Sequence, residues 1–170
     1  ADVIKIMASG GSGRNERFPP WQAQYDVGAL EGAVDEARRV GRCVIAHARG
    51  VEAIRNCIAA SVDVISHCTW ETPEGHRYDA ELTEEIAARG IAVDPTVVAG
   101  FNAARSPAIP AARRRRLQDV LPVRYAQWRA MWTAGVCMLG GSDAGTPFVY
   151  FDQPKMTARL LVDEIGMSKV

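Results

Sequence analysis

The sequence predicts an α/β protein made of parallel strands joined by crossover helices, and three observations carry that prediction. Short apolar runs and amphipathic runs take turns along the 170 residues. The apolar runs lack the strict polar–apolar alternation of a half-wet sheet, as expected for strands covered on both faces. Glycines, Gly41 and Gly90, close two amphipathic runs just before the next apolar one, where a helix C-terminus favours a residue able to turn left-handed. Repetition of strand and helix implies parallel pairing with right-handed crossovers. A doubly wound sheet and part of a (β/α) barrel both satisfy it.

Taken in order, residues 2–8 read as a strand with Lys5 among Val3, Ile4, Ile6 and Met7. The Gly/Pro-rich stretch SGGSGRNERFPPW follows as a loop. Asp26 is placed to cap a helix that carries Leu30, Val34 and Ala37 on one face and Glu31, Asp35 and Arg38 on another,. RCVIAH (42–47) is a second strand, VEAIRNCIAA a short helix, and VDVISH (62–67) a third strand. After the loop CTWETPEGHRY, Asp79 caps the helix AELTEEIAAR. IAVDPT (91–96) is a fourth strand. A long segment with Pro107 and Pro110 leads into a helix over residues 111–134. GVCMLGGSD (135–143) is a fifth strand, and a last helix covers residues 153–166. One domain over residues 1–170 accounts for all of it,.

Composition removes several function classes. Lys plus Arg equals Asp plus Glu at 20 each, so bulk charge does not point to nucleic acid or an anionic membrane. RRRR (113–116) spreads around a helix and reads as a solvated face,. No apolar run approaches the ~20 residues that span a bilayer, and the start has no signal-peptide pattern. Cys43, Cys57, Cys68 and Cys137 show no C-x-x-C spacing. They read as reduced thiols, mostly buried, in a cytoplasmic protein. Neither G-x-G-x-x-G nor G-x-x-x-x-G-K-[ST] occurs, which weakens nucleotide binding.

In parallel α/β folds chemistry collects where strands end. The second strand ends at His47, the third at His67 and the fifth at Asp143, while the first carries Lys5. Two imidazoles and a carboxylate suit zinc or a similar divalent ion. A lysine desolvated by apolar neighbours is partly neutral, and a neutral amine can add carbon dioxide to become an anionic, two-oxygen ligand. A Schiff-base enzyme of the aldolase type would also use such a lysine, but it leaves both histidines without a part. A barrel piece that binds or scaffolds without chemistry is the non-enzymatic alternative.

The ordered motifs ADVIKIMASGG, VIAHA, DVISHC, VDPTV and LGGSDAG resemble the metal-dependent amidohydrolase superfamily, in its imidazolonepropionase and Xaa-Pro-dipeptidase-like branch. The resemblance implies a partial (β/α)8 barrel holding about strands four to eight, the C-terminal portion of such an enzyme. It implies that Lys5 is a carboxylated lysine bridging two metal ions, and that His47 and His67 ligate one of them. Asp143 would ligate the other and handle the proton of the attacking hydroxide. The implied cofactors are one or two zinc ions, with carbon dioxide for the lysine. The implied reaction is hydrolysis of an amide, cyclic amide or dipeptide by metal-activated water. Thr96, Trp70 and His76 are candidates for touching the substrate. Ser66-His67-Cys68 stands where the family usually has Glu-His-Gly, and Ser142 where it commonly has threonine. The family's first-strand His-X-His has no counterpart, which leaves open whether this chain alone is active. Both ends of the chain read as cut, so association with a missing N-terminal part, or a close homo-oligomer, is expected to cover the exposed edges.

Overall fold

The computed structural model describes residues 2–11 and 17–168. They pack as two compact units: residues up to Asp94 with Ala134–Met138, and Pro95–Thr133 with the residues from Leu139 on. The middle of the expected glycine-rich loop, residues 12–16, lies outside the described residues.

The first unit is a mostly parallel sheet with helices. β1 (Val3–Met7), β2 (Cys43–Gly50) and β3 (Val64–Thr72) run parallel, and β3 also pairs in parallel with β5 (Ala92–Asp94). Between them lie α1 (Val27–Arg39), α2 (Val51–Ala59) and α3 (Ala80–Ala88). The caps form as the sequence indicates. Asp26 accepts from the Ala29 N–H at 2.9 Å and Asp79 from the Leu82 N–H at 3.1 Å, each satisfying an otherwise orphaned helix donor. Gly41 and Gly90 both take φ +66°, which an L side chain resists. Leu30, Val34 and Ala37 form the buried face of α1.

Parallel register assigns the two faces of this sheet. Ile4↔Val44 and Ile6↔Ala46 share one face, on which Val44, Ala46, Ile65 and Val93 have no exposed surface. Lys5↔Ile45 and Met7↔His47 lie on the other, continued by His47↔Ser66 and Ser66↔Asp94. The first face is the core; the second carries the polar side chains.

The strands differ from the sequence reading. β2 does not stop at His47 but runs on to Gly50, and the expected fourth strand, 91–96, forms only over Ala92–Asp94. β3 does not stop at His67 but runs to Thr72 and turns back through β4 (Gly75–His76), antiparallel to it. Cys68, Thr69, Trp70 and Glu71 are all buried, so the stretch read as a loop is interior backbone that needs ladder partners. The expected fifth strand, 135–143, shrinks to one parallel bridge, Val93↔Met138, supported by the Val93 N–H donating to the Cys137 carbonyl at 2.8 Å. Gly140 and Gly141 follow at once, and glycine weakens a strand.

The second unit is helical: α4 (Val97–Ala103), α5 (Ala111–Thr133), α6 (Pro154–Leu160) and a π-helical segment, Leu161–Ile165. α4 has no counterpart in the sequence reading. It packs closely on α5, where a Cβ on Gly100 would stand 2.9 Å from Leu121 Cδ2. Arg113, Arg115 and Arg116 are exposed at the start of α5, and Arg114 donates to the carbonyls of Ser106 and Ile109. The arginine run is therefore a solvated helix start. Among the described residues no helix is long and apolar enough to cross a membrane.

Candidate functional site

His47 and His67 meet. Their ring centroids lie 4.4 Å apart, edge to face. Register alone would separate them, because His47 pairs with Ser66 while His67 pairs with Ala48, and successive strand residues point to opposite faces. The separation is undone by the backbone of β3. His67 takes φ +71°, Cys68 +47° and Trp70 +55°, and the ladder with β2 shifts register between Ala48 and Gly50. Left-handed backbone at non-glycine residues costs about 1–3 kcal/mol each and collects at functional sites.

The His47 ring is oriented from behind. Its Nε2 lies 3.2 Å from the Gly10 carbonyl, which can only accept, so Nε2 carries the hydrogen and the lone pair of the neutral ring is on Nδ1. Gly10 is required there: a Cβ would stand 2.1 Å from the Phe18 carbonyl oxygen. The Ser9 N–H donates to the His47 carbonyl at 3.1 Å, and the Ser9 hydroxyl accepts from the Arg49 N–H at 3.0 Å.

Lys5 is on the same sheet face but is exposed, which corrects the expectation of an amine desolvated by its apolar neighbours. β1 is an edge strand, pairing only with β2 among the described strands, and Val3, Lys5 and Met7 are exposed. Lys5 is positioned instead by a hydrogen bond, its Nζ donating to Ser66 Oγ at 2.9 Å. Asp94, level with Ser66, also belongs to this face. The sequence reading did not single it out, although it ends a strand inside VDPTV.

Of the other predicted residues, Asp143 and Thr96 belong to the second unit and Trp70 and His76 to the first. Asp143 lies in the second unit, exposed, with φ +61° and its carbonyl accepting from the Thr146 N–H and hydroxyl. Thr96, in the second unit, is buried at the start of α4 with φ +47°. Trp70 has no exposed surface and packs edge-on against Tyr78 at 5.5 Å. His76 is half-buried on β4 opposite Glu71.

A cavity of about 390 Å³ opens beside the C-terminal ends of β2 and β3, lined by Gln22, Val51, Glu52, Arg55, Glu71 and Arg77 among others; volumes of ~300–1,000 Å³ suit small molecules. Behind Glu71 lies a buried ion pair the sequence reading missed: Arg49 Nη2 donates to Glu71 Oε1 at 2.5 Å, and Thr69 Oγ1 donates to the same oxygen at 3.0 Å. Arg49, two residues after His47, and Glu71, four after His67, gave no periodic signal in the sequence. Among the described residues, no three His, Cys, Asp or Glu side chains gather as one metal-ion ligand set.

No family model matches the chain. Its curated relatives include ochratoxinase of Aspergillus niger, 29% identical over 145 residues, or 84% of this chain and 28% of the relative. The crystal structure of that ochratoxinase superposes with a TM-score of 0.82 at 26% identity, over 98% of this chain and 36% of that one. A Xaa-Pro dipeptidase solved with methionine in its active site gives 0.75 at 28% identity, over 98% and 39%. A solved amidohydrolase gives 0.74 at 28% identity, over 95% and 38%. The chain thus spans little more than a third of the solved neighbours, and the resemblance to amidohydrolases read from the sequence is borne out by them.

Proposed function

We propose, for a chain whose neighbours are ochratoxinase, Xaa-Pro dipeptidase and amidohydrolases, that it is part of a metal-dependent hydrolase acting on amide or peptide carbon–nitrogen bonds. The sheet of the first unit is then a segment of a (β/α)8 barrel, with its polar face toward the barrel interior and the C-terminal ends of its strands at the mouth. The observation that carries the reading is the meeting of His47 and His67. It is achieved by left-handed backbone at His67, Cys68 and Trp70, a conformation that collects at functional sites.

The residues present fit part of a metal centre. His47 donates one ring N–H to a carbonyl, the outer support that metal-ligating histidines usually have. His67 supplies a second imidazole beside it. Lys5, as a carbamate, would add oxygen donors, its Nζ positioned by the bond to Ser66 Oγ. A divalent ion such as zinc would acidify a water molecule toward neutral pH and polarise the scissile carbonyl. Asp143 is given the proton-handling role on the resemblance alone. The chain's own work is orientation: Gly10 sets the His47 tautomer, Ser66 holds Lys5, and the left-handed turn of His67 brings the rings together.

Zinc binding to the purified chain, measured by equilibrium dialysis in bicarbonate buffer, tests this. His47→Ala and His67→Ala are each expected to weaken zinc binding at least tenfold, with hydrolysis of a prolyl dipeptide or N-acyl amino acid abolished by chelator and restored by zinc. Wild-type chain that binds no more zinc than the double alanine variant overturns the reading, whatever its activity.

A further inference from the structure

The second unit holds a groove whose walls include none of the residues of the histidine site. Its volume is about 510 Å³, and its walls include Leu121, Pro122, Tyr125, Arg105, Arg129 and Glu164. The floor is apolar: Leu121 and Tyr125 are 6% and 8% exposed. Pro122 sits inside α5 and has no N–H to give the Gln118 carbonyl one turn earlier.

The polar atoms of this groove are mostly donors. The Tyr125 hydroxyl is buried and has no hydrogen-bond partner. A buried hydroxyl left unsatisfied is costly. Burial pushes this phenol up to about 12, Glu164 pushing the same way and Arg105 opposing it, so it stays protonated at neutral pH. Arg105 is exposed, with its guanidinium 3.6 Å above the Phe101 ring and Nη1 donating to the Phe101 carbonyl. Arg129 donates to the Glu164 carbonyl at 2.5 Å. Each guanidinium has five N–H donors in all, so both retain donors beyond these bonds. Against two guanidiniums and a phenol stands one carboxylate, Glu164.

We propose that this groove binds a small organic monocarboxylate with an apolar body. Its carboxylate is taken by Arg105, Arg129 and the Tyr125 hydroxyl, and its body lies on Leu121 and Pro122. A single negative charge balances the excess guanidinium, and a carboxylate oxygen supplies the acceptor the phenol lacks. The volume matches a molecule of that size.

The full chain titrated with phenylacetate and, separately, with phenylacetamide tests the assignment, by isothermal calorimetry and ligand-observed NMR. The acid is expected to bind at least about tenfold more tightly than the amide. Tyr125→Phe is expected to weaken the acid about three- to tenfold. Arg105→Gln, at an exposed position that does not threaten folding, is expected to weaken it similarly and to leave the amide unchanged. Equal binding of acid and amide, no binding of either at millimolar concentration, or indifference to Arg105→Gln overturns the proposal. Zinc binding at the histidine pair is unaffected by any of these outcomes.

Discussion

Cys68 combines a left-handed backbone, φ +47°, with a side chain that has no exposed surface. The two properties pull a substitution in opposite directions. Ala at 68 would keep the strain and lose the sulfur's contacts; Gly would lose the contacts and relieve the strain. In ordinary strand backbone Gly is about 0.5–1 kcal/mol worse than Ala. Here Cys68→Gly is expected to exceed Cys68→Ala by about 1 kcal/mol in urea unfolding, and the reverse order would show that the angle is unstrained. The residue types at this site were legible, because histidines at the ends of apolar runs are few. Their conformations were not. Nothing in VISHCTW announces three positive angles, and nothing in DVIKIM reveals that Lys5 is exposed. Exposure of a strand residue depends on whether another element covers its face, which is a property of the packed sheet.

Between neighbouring strands, the interaction with most at stake is Arg49–Glu71. Both side chains are only about 10% exposed, so each charge relies on the other for what water no longer supplies. Arg49 Nε has no partner at all. Truncating one member, Glu71→Ala or Arg49→Ala, is expected to cost about 3–5 kcal/mol of unfolding free energy. Replacing both together, Arg49→Met with Glu71→Leu, is expected to cost much less, because no uncompensated charge stays behind. A double-mutant cycle in urea separates these outcomes; additive losses would show that the pair does not act as a pair. The helices were the legible elements: Asp26 and Asp79 announced their starts, Gly41 and Gly90 their ends. The strands were less so. β3 overran its expected end because Cys68 and Trp70 found interior sites, and 135–143 formed a single bridge. A helix satisfies its own hydrogen bonds, whereas a strand's length is set by its neighbours.

Over the whole molecule, three buried acids define an alkaline weakness. Burial pushes the Cys57 thiol up to about 12 and the Tyr125 phenol up to about 12, from ordinary values of 9.0 and 10.0. It raises the Cys68 thiol as well, and Cys57 adds to that rise. A folded-state pKa above the unfolded one means the native chain holds these protons more tightly. Their contribution is therefore fully present below the unfolded values and is lost as pH rises through 9 and beyond,. Urea midpoints are expected to fall between about pH 8 and pH 10, by the equivalent of about 1–3 kcal/mol, and Cys57→Ala is expected to flatten that fall. A midpoint constant over this range would show that the thiols ionise as freely folded as unfolded. The parallel α/β character and the amidohydrolase likeness were legible at this level because ordered motifs survive changes in the elements between them. The division into two units was not, since it depends on contacts between distant stretches.

One consequence of the two-faced sheet concerns how this chain can change over generations. Along β2, Val44, Ala46 and Ala48 are sealed in the core, while Ile45 and His47 point to the opposite face. Adjacent codons therefore answer to different tests, one set to volume and the other to chemistry. New reactivity can be sampled at Lys5, Ile45 and Asp94, which are exposed or half-buried, at less cost to folding than at the sealed positions. A one-codon insertion in β2 would exchange the two sets and fail both tests at once.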